Sequence, residues 1–371
     1  MADDELRDWL ALTLVPGLGP RLTDMLMQHF RTPAAIRRAD EHALRAVPHV
    51  GDKLSSQFAA ALRTVDVDAE LELMRQFGVT ALVKGTPEYP RHLTTIDDAP
   101  PVLYVRGAFS PADVNAVAVI GSRACTSYGL RITKRLCVEL AKNGYTVVSG
   151  LARGIDGEAH KGALEGGGRT VAVLAGGLSK IYPPEHKELA ERVAASGALI
   201  SETPMAMAPQ PGMFHARNRL ISGLALGVVV VEANERSGTL ITAGHAAEQN
   251  RELFAFPGNV DSAASGGTLA LIRNHGAKLI RNIDDLLEDL QRFPTTPPPP
   301  EPADAQPAEA GPPPGMDDAQ GRAWAFLTEV RHFDVLMREM AMTVPELTRV
   351  LMGMEMKKWV RRLPGNQYER R

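Results

Sequence analysis

The sequence has few cysteines and no long hydrophobic run. Its two cysteines, Cys125 and Cys137, are too few for a disulfide framework or a four-cysteine zinc site. The longest apolar stretch, residues 220–231, is well short of the ~20 residues that a membrane-spanning helix needs. The acidic segment 1–9 lacks the basic and apolar regions of a signal peptide. We therefore expect a cytoplasmic protein with no membrane segment.

Positive charge is not in excess either. The 41 Lys and Arg residues are balanced by 44 Asp and Glu residues, which gives a formal net charge of -3. This balance excludes a histone-like nucleic-acid binder but does not exclude a local basic groove. Hydrophobic residues make up 44% and charged residues 23% of the chain, which is typical of globular proteins. The 371 residues predict two to three domains, at roughly 150 residues per domain.

Several cofactor motifs are missing. The segment Gly121-Ser122-Arg123 follows a predicted strand but lacks the second and third glycines of the G-x-G-x-x-G dinucleotide fingerprint. The chain has no G-x-x-x-x-G-K-[ST] loop for a nucleoside triphosphate, and its histidines show no metal-ligand spacing. We expect no cofactor and no metal.

A proline-rich segment divides the chain. Ten of the 22 residues in 294–315 are Pro, which fixes φ and removes the backbone N–H, so this segment should be an extended linker. A proline-rich ligand for another protein is the alternative. The predicted division is a helical domain at 1–78, a Rossmann-like core at 79–293, the linker at 294–315 and a winged-helix-like domain at 316–371.

Two similar turns lie in the N-terminal region. Residues 14–21 (LVPGLGPR) and 46–53 (AVPHVGDK) each precede an amphipathic helical pattern. They look like two degenerate helix-hairpin-helix units, whose backbone N–H groups can approach a DNA phosphate. A small helical bundle that uses the turns only to change direction is the alternative, since His49 and Asp52 depart from the pattern.

The middle of the chain alternates short apolar runs with amphipathic helices. Such runs, each followed by Gly, Ser or Glu, are typical of parallel strands covered on both faces. The sequence therefore predicts a doubly wound α/β domain with a parallel sheet and two added strands at one edge, 81–83 and 102–105. The parallel strands are predicted at 117–120, 146–149, 170–174, 198–200, 228–231, 253–256 and 278–280.

Glycine, serine and arginine follow the predicted strands. In an open α/β sheet the ligand binds outside the carboxyl ends of the strands, where glycines allow close approach and Arg matches phosphate oxygens. The helix that contains Phe214, Arg217 and Arg219 adds an aromatic ring beside cations, as single-stranded nucleic acid requires. The alternative is that Phe214 packs in the core and both arginines pair with neighbouring acids. The candidate DNA-binding residues are Gly121, Ser122, Arg123, Ser127, Gly150, Arg153, Phe214, Arg217, Asn218, Arg219, Ser237, Gly238 and Thr239.

The sequence contains two candidate catalytic arrangements. Asp156 and His160 are spaced i, i+4 and could act as acid and base, but a capping Asp156 and a His160 packed against the sheet are favoured. Residues 237–239 with Glu248 resemble the phosphate-binding pattern of nucleotide phosphoribohydrolases, but no second carboxylate is paired with Glu248. We expect a protein that is not an enzyme, with no catalytic residues.

The C-terminal tail predicts helices followed by a β-hairpin, which is a winged-helix outline. A helix begins near Trp324, a second begins at Thr343-Val-Pro, and residues 363–368 form a turn signal. The tail could contact DNA or protein, and a sequence-specific repressor is a minor alternative.

Together these motifs resemble one family, the DNA processing protein A family, also called Smf. The resemblance is close over residues 89–280. Its flanks are similar to the N-terminal helical and C-terminal winged-helix-like domains of the family. The motifs that carry it are residues 118–123, 128–129, 149–156, 160–164, 170–178, 182–183, 214–219, 237–239, 256–258 and 266–268.

The resemblance implies a single-stranded DNA-binding recombination mediator of natural transformation. Such a protein protects incoming DNA, loads the RecA recombinase onto it, helps displace single-strand binding protein and forms a homodimer. By motif position, Gly121, Ser122 and Arg123 would bind phosphate, and Phe214, Arg217, Asn218 and Arg219 would line the strand path. Family members often have a basic residue just before this Phe, where this chain has Pro211-Gly-Met213.

Overall fold

The computed structural model describes residues 3–290, 313, 316–327, 331–340, 342–357, 359–363 and 367–370. The chain forms two compact units, residues 1–296 and 297–371. Of the predicted linker, 294–315, all but Pro313 lies outside the described residues. No helix among the described residues is both long enough and apolar enough to cross a membrane.

The N-terminal region is helical, as predicted. Its two turns have the same backbone geometry, since Gly17 and His49 occupy equivalent positions with φ of 81° and 66°. Gly17 adopts this left-handed conformation without penalty, whereas His49 adopts it at a cost. The helices are α1 (Asp3–Thr13), α2 (Pro20–Phe30), α3 (Pro33–Arg38), α4 (Glu41–Arg45), α5 (Asp52–Thr64) and α6 (Val67–Phe77).

These helices share a hydrophobic core with the sheet that follows. One cluster of buried side chains includes Leu10 and Phe58 from the helices and Tyr104 and Leu199 from strands. The hydroxyls of Thr13 and Tyr104 are 3.1 Å apart, and Glu70 accepts a 2.8 Å hydrogen bond from the Met205 backbone N–H. The predicted domain boundary at residue 78 falls between α6 and the first strand and stays a prediction.

The α/β region contains one sheet of nine strands, and each predicted strand is present with its ends within two residues of the prediction. Short strands follow from the short, fully apolar runs, such as the five buried residues of Ala116–Ile120. The strands are β1 (Val79–Val83), β2 (Val102–Gly107), β3 (Ala116–Ile120), β4 (Thr146–Ser149), β5 (Thr170–Val173), β6 (Ala198–Ser201), β7 (Gly227–Val230), β8 (Glu252–Ala255) and β9 (Lys278–Leu279).

The strand order is β1-β2-β6-β5-β4-β3-β7-β8-β9. The strands from β6 to β9 in this order are parallel, while β2 pairs antiparallel with both β1 and β6. The chain runs outward from β3 to β6 and then returns to the other side of β3 as β7. The point between β3 and β7 is therefore the topological switch point, where α/β sheets bind ligands.

Helices cover both faces of this sheet, which confirms the doubly wound α/β fold. Val117 and Val119 pack on one face with Leu136, whereas Ala118 packs on the other face with Leu220, as the period of two in a strand requires. The helices are α7 (Ser127–Lys142), α8 (Ile155–Glu165), α9 (Lys187–Ser196), α10 (Pro211–Gly223), α11 (Thr239–Glu248), α12 (Gly266–Asn274) and α13 (Ile283–Leu290).

The C-terminal unit has the predicted winged-helix architecture. Its core includes Trp324, Phe333, Leu347 and Tyr368. Three strands in the order β10-β12-β11 pair antiparallel, and the turn predicted between the last two includes residues 364–366, which lie outside the described residues. The elements are α14 (Asp318–Phe326), β10 (Arg331–His332), α15 (Phe333–Met340), α16 (Val344–Met356), β11 (Val360–Leu363) and β12 (Gln367–Arg370).

Candidate functional site

The loops that follow β3 and β7 meet at the switch point. The backbone N–H of Ser122 donates a 2.8 Å hydrogen bond to the carbonyl oxygen of Glu232. The buried carboxylate of Glu232 accepts hydrogen bonds from the backbone N–H of Thr126 at 2.8 Å and from its hydroxyl at 2.5 Å. Glu232 therefore holds the start of α7 and the loop after β3 in one arrangement.

A cavity of about 640 Å³ opens at this point. Its walls come from the loops after β3, β4 and β5 and from α8, α10 and α11, so several parts of the sequence that are far apart build it. The structure brings together here nine of the thirteen candidate residues: Gly121, Ser122, Arg123, Phe214, Arg217, Asn218, Ser237, Gly238 and Thr239.

The other four candidates do not line this cavity. Gly150 and Arg153 border a smaller recess beside it, together with Arg123 and Phe214. Ser127 is exposed in the first turn of α7, and Arg219 is buried elsewhere on α10. The candidates thus form one central group with two neighbours and two residues outside it.

At the mouth of the cavity two arginines and two aromatic rings form a continuous chain, which we call the arginine–aromatic cluster: Arg123, Phe214, Tyr182 and Arg153. The Arg123 guanidinium lies 5.1 Å from the centroid of the Phe214 ring. The Phe214 and Tyr182 rings meet edge to face at 5.6 Å, and the Arg153 guanidinium lies 6.0 Å from the Tyr182 ring. Cationic groups beside aromatic faces can contact a phosphate and a base of the same strand.

The start of α11 faces the same cavity. The Ser237 hydroxyl accepts a 3.2 Å hydrogen bond from the Thr239 backbone N–H and donates a 2.9 Å hydrogen bond to the Thr239 hydroxyl. The positive end of the dipole of this ten-residue helix therefore lies at the cavity wall beside two hydroxyl groups. This arrangement favours an anionic group in the cavity.

Arg217 lines the floor of the cavity, where it is buried and holds the surrounding backbone. Only 5% of the residue is exposed, and its guanidinium donates to the carbonyl oxygens of Gly150 at 2.7 Å and Val173 at 2.5 Å. A Cβ atom on Gly150 would overlap this guanidinium, so only glycine fits there. Burial lowers the pKa of Arg217 to about 10, against the attraction of the Asp156 carboxylate. Arg217 thus fixes the loop after β4 from below.

Asp156 also belongs to this buried layer. Its carboxylate accepts hydrogen bonds from the backbone N–H groups of Gly150 at 3.2 Å and Ala152 at 3.4 Å. Burial raises its pKa, and Arg217 and these two N–H groups oppose the rise. Helix α8 begins at Ile155 after Gly154, so Asp156 lies within the first turn and binds the preceding loop rather than acting as the N-cap.

Arg219 makes a buried ion-pair network and does not reach the cavity. Its guanidinium binds both carboxylate oxygens of Glu202, at 2.8 and 2.7 Å, and an oxygen of Asp98 at 3.0 Å. This geometry matches the alternative in which an arginine of this segment pairs with neighbouring acids. To contact a DNA strand, the Arg219 guanidinium would first have to break its ion pairs with Glu202 and Asp98.

The residues of the catalytic alternatives bind other groups. His160 is fully buried, and its Nδ1 is 2.7 Å from the Thr170 hydroxyl, so it packs against the sheet, while the Asp156 carboxylate binds backbone N–H groups of the loop after β4. Glu248 ends the ten-residue helix that Thr239 begins, and at 1.5 Å per residue the two are roughly 13 Å apart. Its carboxylate is 3.2 Å from His245. The geometry therefore does not join Glu248 to residues 237–239.

Two residues of the site, Tyr182 and Glu232, are absent from the candidate set although both lie in segments that follow predicted strands. An aromatic residue in the segment after β5, such as Tyr182, is a signal for this edge of the sheet. Glu232 directly follows a predicted strand, and a lone carboxylate there has no pattern that distinguishes a loop anchor from a surface acid. Both depend on tertiary contacts with segments more than 30 residues away.

Models of three protein families match the chain in order. The model described as DNA recombination-mediator protein A matches residues 80–291, a SAM-like helix-hairpin-helix tandem matches 10–64, and a DprA winged-helix domain matches 294–366. The recombination-mediator match covers the whole region that carries the cavity.

Individual proteins give the same result. Protein Smf of Synechocystis is 40% identical over 298 residues, which cover 79% of this chain and 75% of that protein. The solved structure of DNA processing protein A from Streptococcus pneumoniae has a TM-score of 0.66 at 31% identity and covers 76% of this chain and 97% of that one. A second structure, which concerns the single-stranded DNA binding mode of DNA processing protein A from Helicobacter pylori, has a TM-score of 0.53 at 32% identity. It covers 58% of this chain and 97% of that one.

Proposed function

Because this chain belongs to the DNA recombination-mediator protein A family, we propose that it binds single-stranded DNA in the cavity at the switch point and along the arginine–aromatic cluster. The observation that carries the proposal is the chain of contacts from Arg123 through Phe214 and Tyr182 to Arg153. It offers stacking surfaces and cations together, which is the requirement for binding a strand without reading its sequence.

The walls of the cavity support an anionic ligand. Glycine and serine after β3 allow close approach of a phosphate, and the start of α11 adds hydroxyl groups and the positive end of a helix dipole. The protein from Helicobacter pylori, whose structure concerns single-stranded DNA binding, is similar to 58% of this chain, which also supports the proposal.

The wider role is part of the proposal. We infer a cytoplasmic, non-enzymatic homodimer that protects incoming single-stranded DNA in natural transformation, loads RecA onto it and helps displace single-strand binding protein. Membership of the family is what supports the proposal of these partners. The four-part division into residues 1–78, 79–293, 294–315 and 316–371 belongs to the same proposal.

Binding of a labelled oligothymidylate by the variants Arg123→Ala and Phe214→Ala tests the DNA interface. Loss of a stacking contact costs about 1–3 kcal/mol, so we expect the Kd of Phe214→Ala to rise about 5- to 150-fold at moderate salt. Arg123→Ala should also weaken binding and reduce the slope of log affinity against log salt by about 0.7, the value for one phosphate of a single strand. Fluorescence anisotropy measures both quantities.

The matched control is Arg273→Ala. Arg273 is exposed near the carboxyl end of α12 and lines neither the cavity nor the smaller recess beside it. Its removal changes the net charge as Arg123→Ala does and should leave the Kd within about twofold, because it removes no contact to the strand. Unchanged binding by both Arg123→Ala and Phe214→Ala would refute the proposed interface.

A further inference from the structure

We propose that Tyr182 and Arg153 form a second nucleotide subsite beside Phe214, and that Glu185 forms an ion pair with Arg153 when no DNA strand is bound. This inference rests on the proposed function, because it assigns residues to the neighbouring nucleotide of the same single strand. Tyr182 would stack on the base, and Arg153 would bind the phosphate next to it.

The position of Tyr182 supports a ligand-facing role. Its side chain is large and partly apolar, yet 41% of the residue is exposed at the mouth of the cavity. Its neighbour Pro183 is buried, so the backbone of this segment is held against the protein while the ring projects from it. An exposed aromatic ring on a fixed segment is a suitable platform for a base.

The geometry of the two rings indicates neighbouring but separate stacking positions. The Tyr182 and Phe214 centroids are 5.6 Å apart, and their planes are inclined by 62°. Bases stacked on both rings could not stack on each other, because stacked bases are parallel and about 3.4 Å apart. The strand would therefore pass through the cluster with its bases spread apart.

The charges of the subsite are balanced in the free protein. Arg153 Nε is 2.5 Å from a Glu185 carboxylate oxygen, and both side chains are about half exposed. An ion pair with this exposure is weak, because water and salt screen it. A DNA phosphate can therefore replace the carboxylate on Arg153, and Glu185 then acts as a competing anion within the protein.

A cycle that combines protein variants with abasic oligonucleotides tests the stacking role. We expect Tyr182→Ala to raise the Kd for oligothymidylate about 5- to 150-fold, and Tyr182→Phe to stay within about twofold because it keeps the ring. When one base is removed at successive positions of the oligonucleotide, the loss caused by Tyr182→Ala should vanish at one position. Phe214→Ala should show the same effect at a neighbouring position.

Glu185→Gln tests the competing anion. Releasing Arg153 should tighten binding and steepen the salt dependence by about 0.7, the slope for one phosphate of a single strand. The control Glu188→Gln removes the same charge from an exposed residue three positions away and should not change the salt slope. Thermal unfolding of each variant, compared with the parent, identifies any loss of fold.

The outcomes separate this inference from the proposed function. If Phe214→Ala and Arg123→Ala weaken binding but a folded Tyr182→Ala does not, the second subsite is refuted and the interface stands. The subsite is also refuted if Tyr182→Ala lowers the affinity equally at every abasic position. It is refuted as well if Glu185→Gln has the same affinity and salt dependence as Glu188→Gln. If Phe214→Ala and Arg123→Ala bind like the parent, the interface itself is wrong.

Discussion

Two groups of arginine lie within one small region of the protein and have opposite surroundings. Arg123 and Arg153 are exposed and lie over aromatic rings in the arginine–aromatic cluster. Arg217 and Arg219 are buried below the surface and bind backbone carbonyl groups or carboxylates. Together with Asp156 and His160 they form what we call the buried polar layer.

This difference in exposure distinguishes arginines that can bind a DNA phosphate from arginines that hold the loops of the protein in place. An exposed guanidinium can exchange its partner for a phosphate at little cost, whereas a buried one would leave unpaired acceptors or charges behind. The buried polar layer holds the loops after β4 and β6, and the cluster uses the positions that those loops provide. Variants of the two groups should therefore differ in whether they change stability or DNA affinity.

The largest expected effect is on stability, from Arg219→Met. Removing this buried guanidinium leaves the partly buried carboxylates of Glu202 and Asp98 without their cation. Breaking a buried ion pair costs about 3–5 kcal/mol, so the free energy of unfolding should fall by that amount. Urea denaturation followed by circular dichroism measures it.

Arg123→Met is the matched control for this prediction. Its guanidinium is exposed, and surface substitutions usually change the free energy of unfolding by less than about 0.5 kcal/mol. Equal losses of stability in the two variants would show that burial does not determine how much these arginines contribute to the free energy of unfolding. Arg219→Met, measured where it is still folded, should retain most of its DNA affinity.

A smaller effect is expected from Gly154→Ala, at the point where the two regions touch. Gly154 has φ of 73°, and a Cβ atom there would overlap the carbonyl oxygens of Ser122 and Arg123. We expect a loss of about 1–3 kcal/mol in stability, the cost of a strained backbone, together with weaker DNA binding because the Arg123 loop must shift.

Gly144→Ala is the control that distinguishes backbone strain from displacement of the Arg123 loop. Gly144 has a similar φ of 78°, but a Cβ atom there has no neighbour within 4 Å. This variant should lose stability and keep the DNA affinity of the parent. If both glycine variants bind DNA equally well, the position of the Arg123 loop does not depend on its contact with Gly154.

The sequence was sufficient to predict the fold and the edge of the sheet that carries the site. Apolar runs of four or five residues, each followed by a small residue, define parallel strands such as β3 and place the loop from Gly121 at their carboxyl ends. This information is local, because the pattern and its consequence lie within about ten residues of each other.

The division of the arginines could not be predicted in the same way. Arg217 and Arg219 are two residues apart on α10, and the spacing gives no indication that Glu202 and Asp98 lie beside one of them. Tyr182 likewise becomes part of the cluster only because the segment after β5 approaches α10. Partners that are distant in sequence decide whether a cation is available to a ligand.

The smallest expected effect is a pH dependence that belongs to the buried polar layer. The Thr170 hydroxyl donates to the Val147 carbonyl oxygen, so it accepts from Nδ1–H of His160, and Nε2 is buried without a hydrogen-bond partner among the described residues. Burial, with the nearby His186 and Arg217, lowers the pKa of His160 from 6.5 to about 3.

In the unfolded chain this histidine binds a proton below pH 6.5, whereas in the folded protein it does so only near pH 3. The unfolded state therefore binds more protons within this window, and the free energy of unfolding should fall by about 1 kcal/mol between pH 6.5 and 5.5 because of His160. The raised pKa of Asp156 acts in the opposite sense at lower pH, so urea denaturation is best compared between pH 7 and 5.5. His160→Asn keeps a donor for Thr170 and should lose this component of the pH dependence, while the exposed His275→Gln should retain it. If the free energy of unfolding of His160→Asn depends on pH as steeply as that of the parent, protonation of His160 is not the source of this pH dependence.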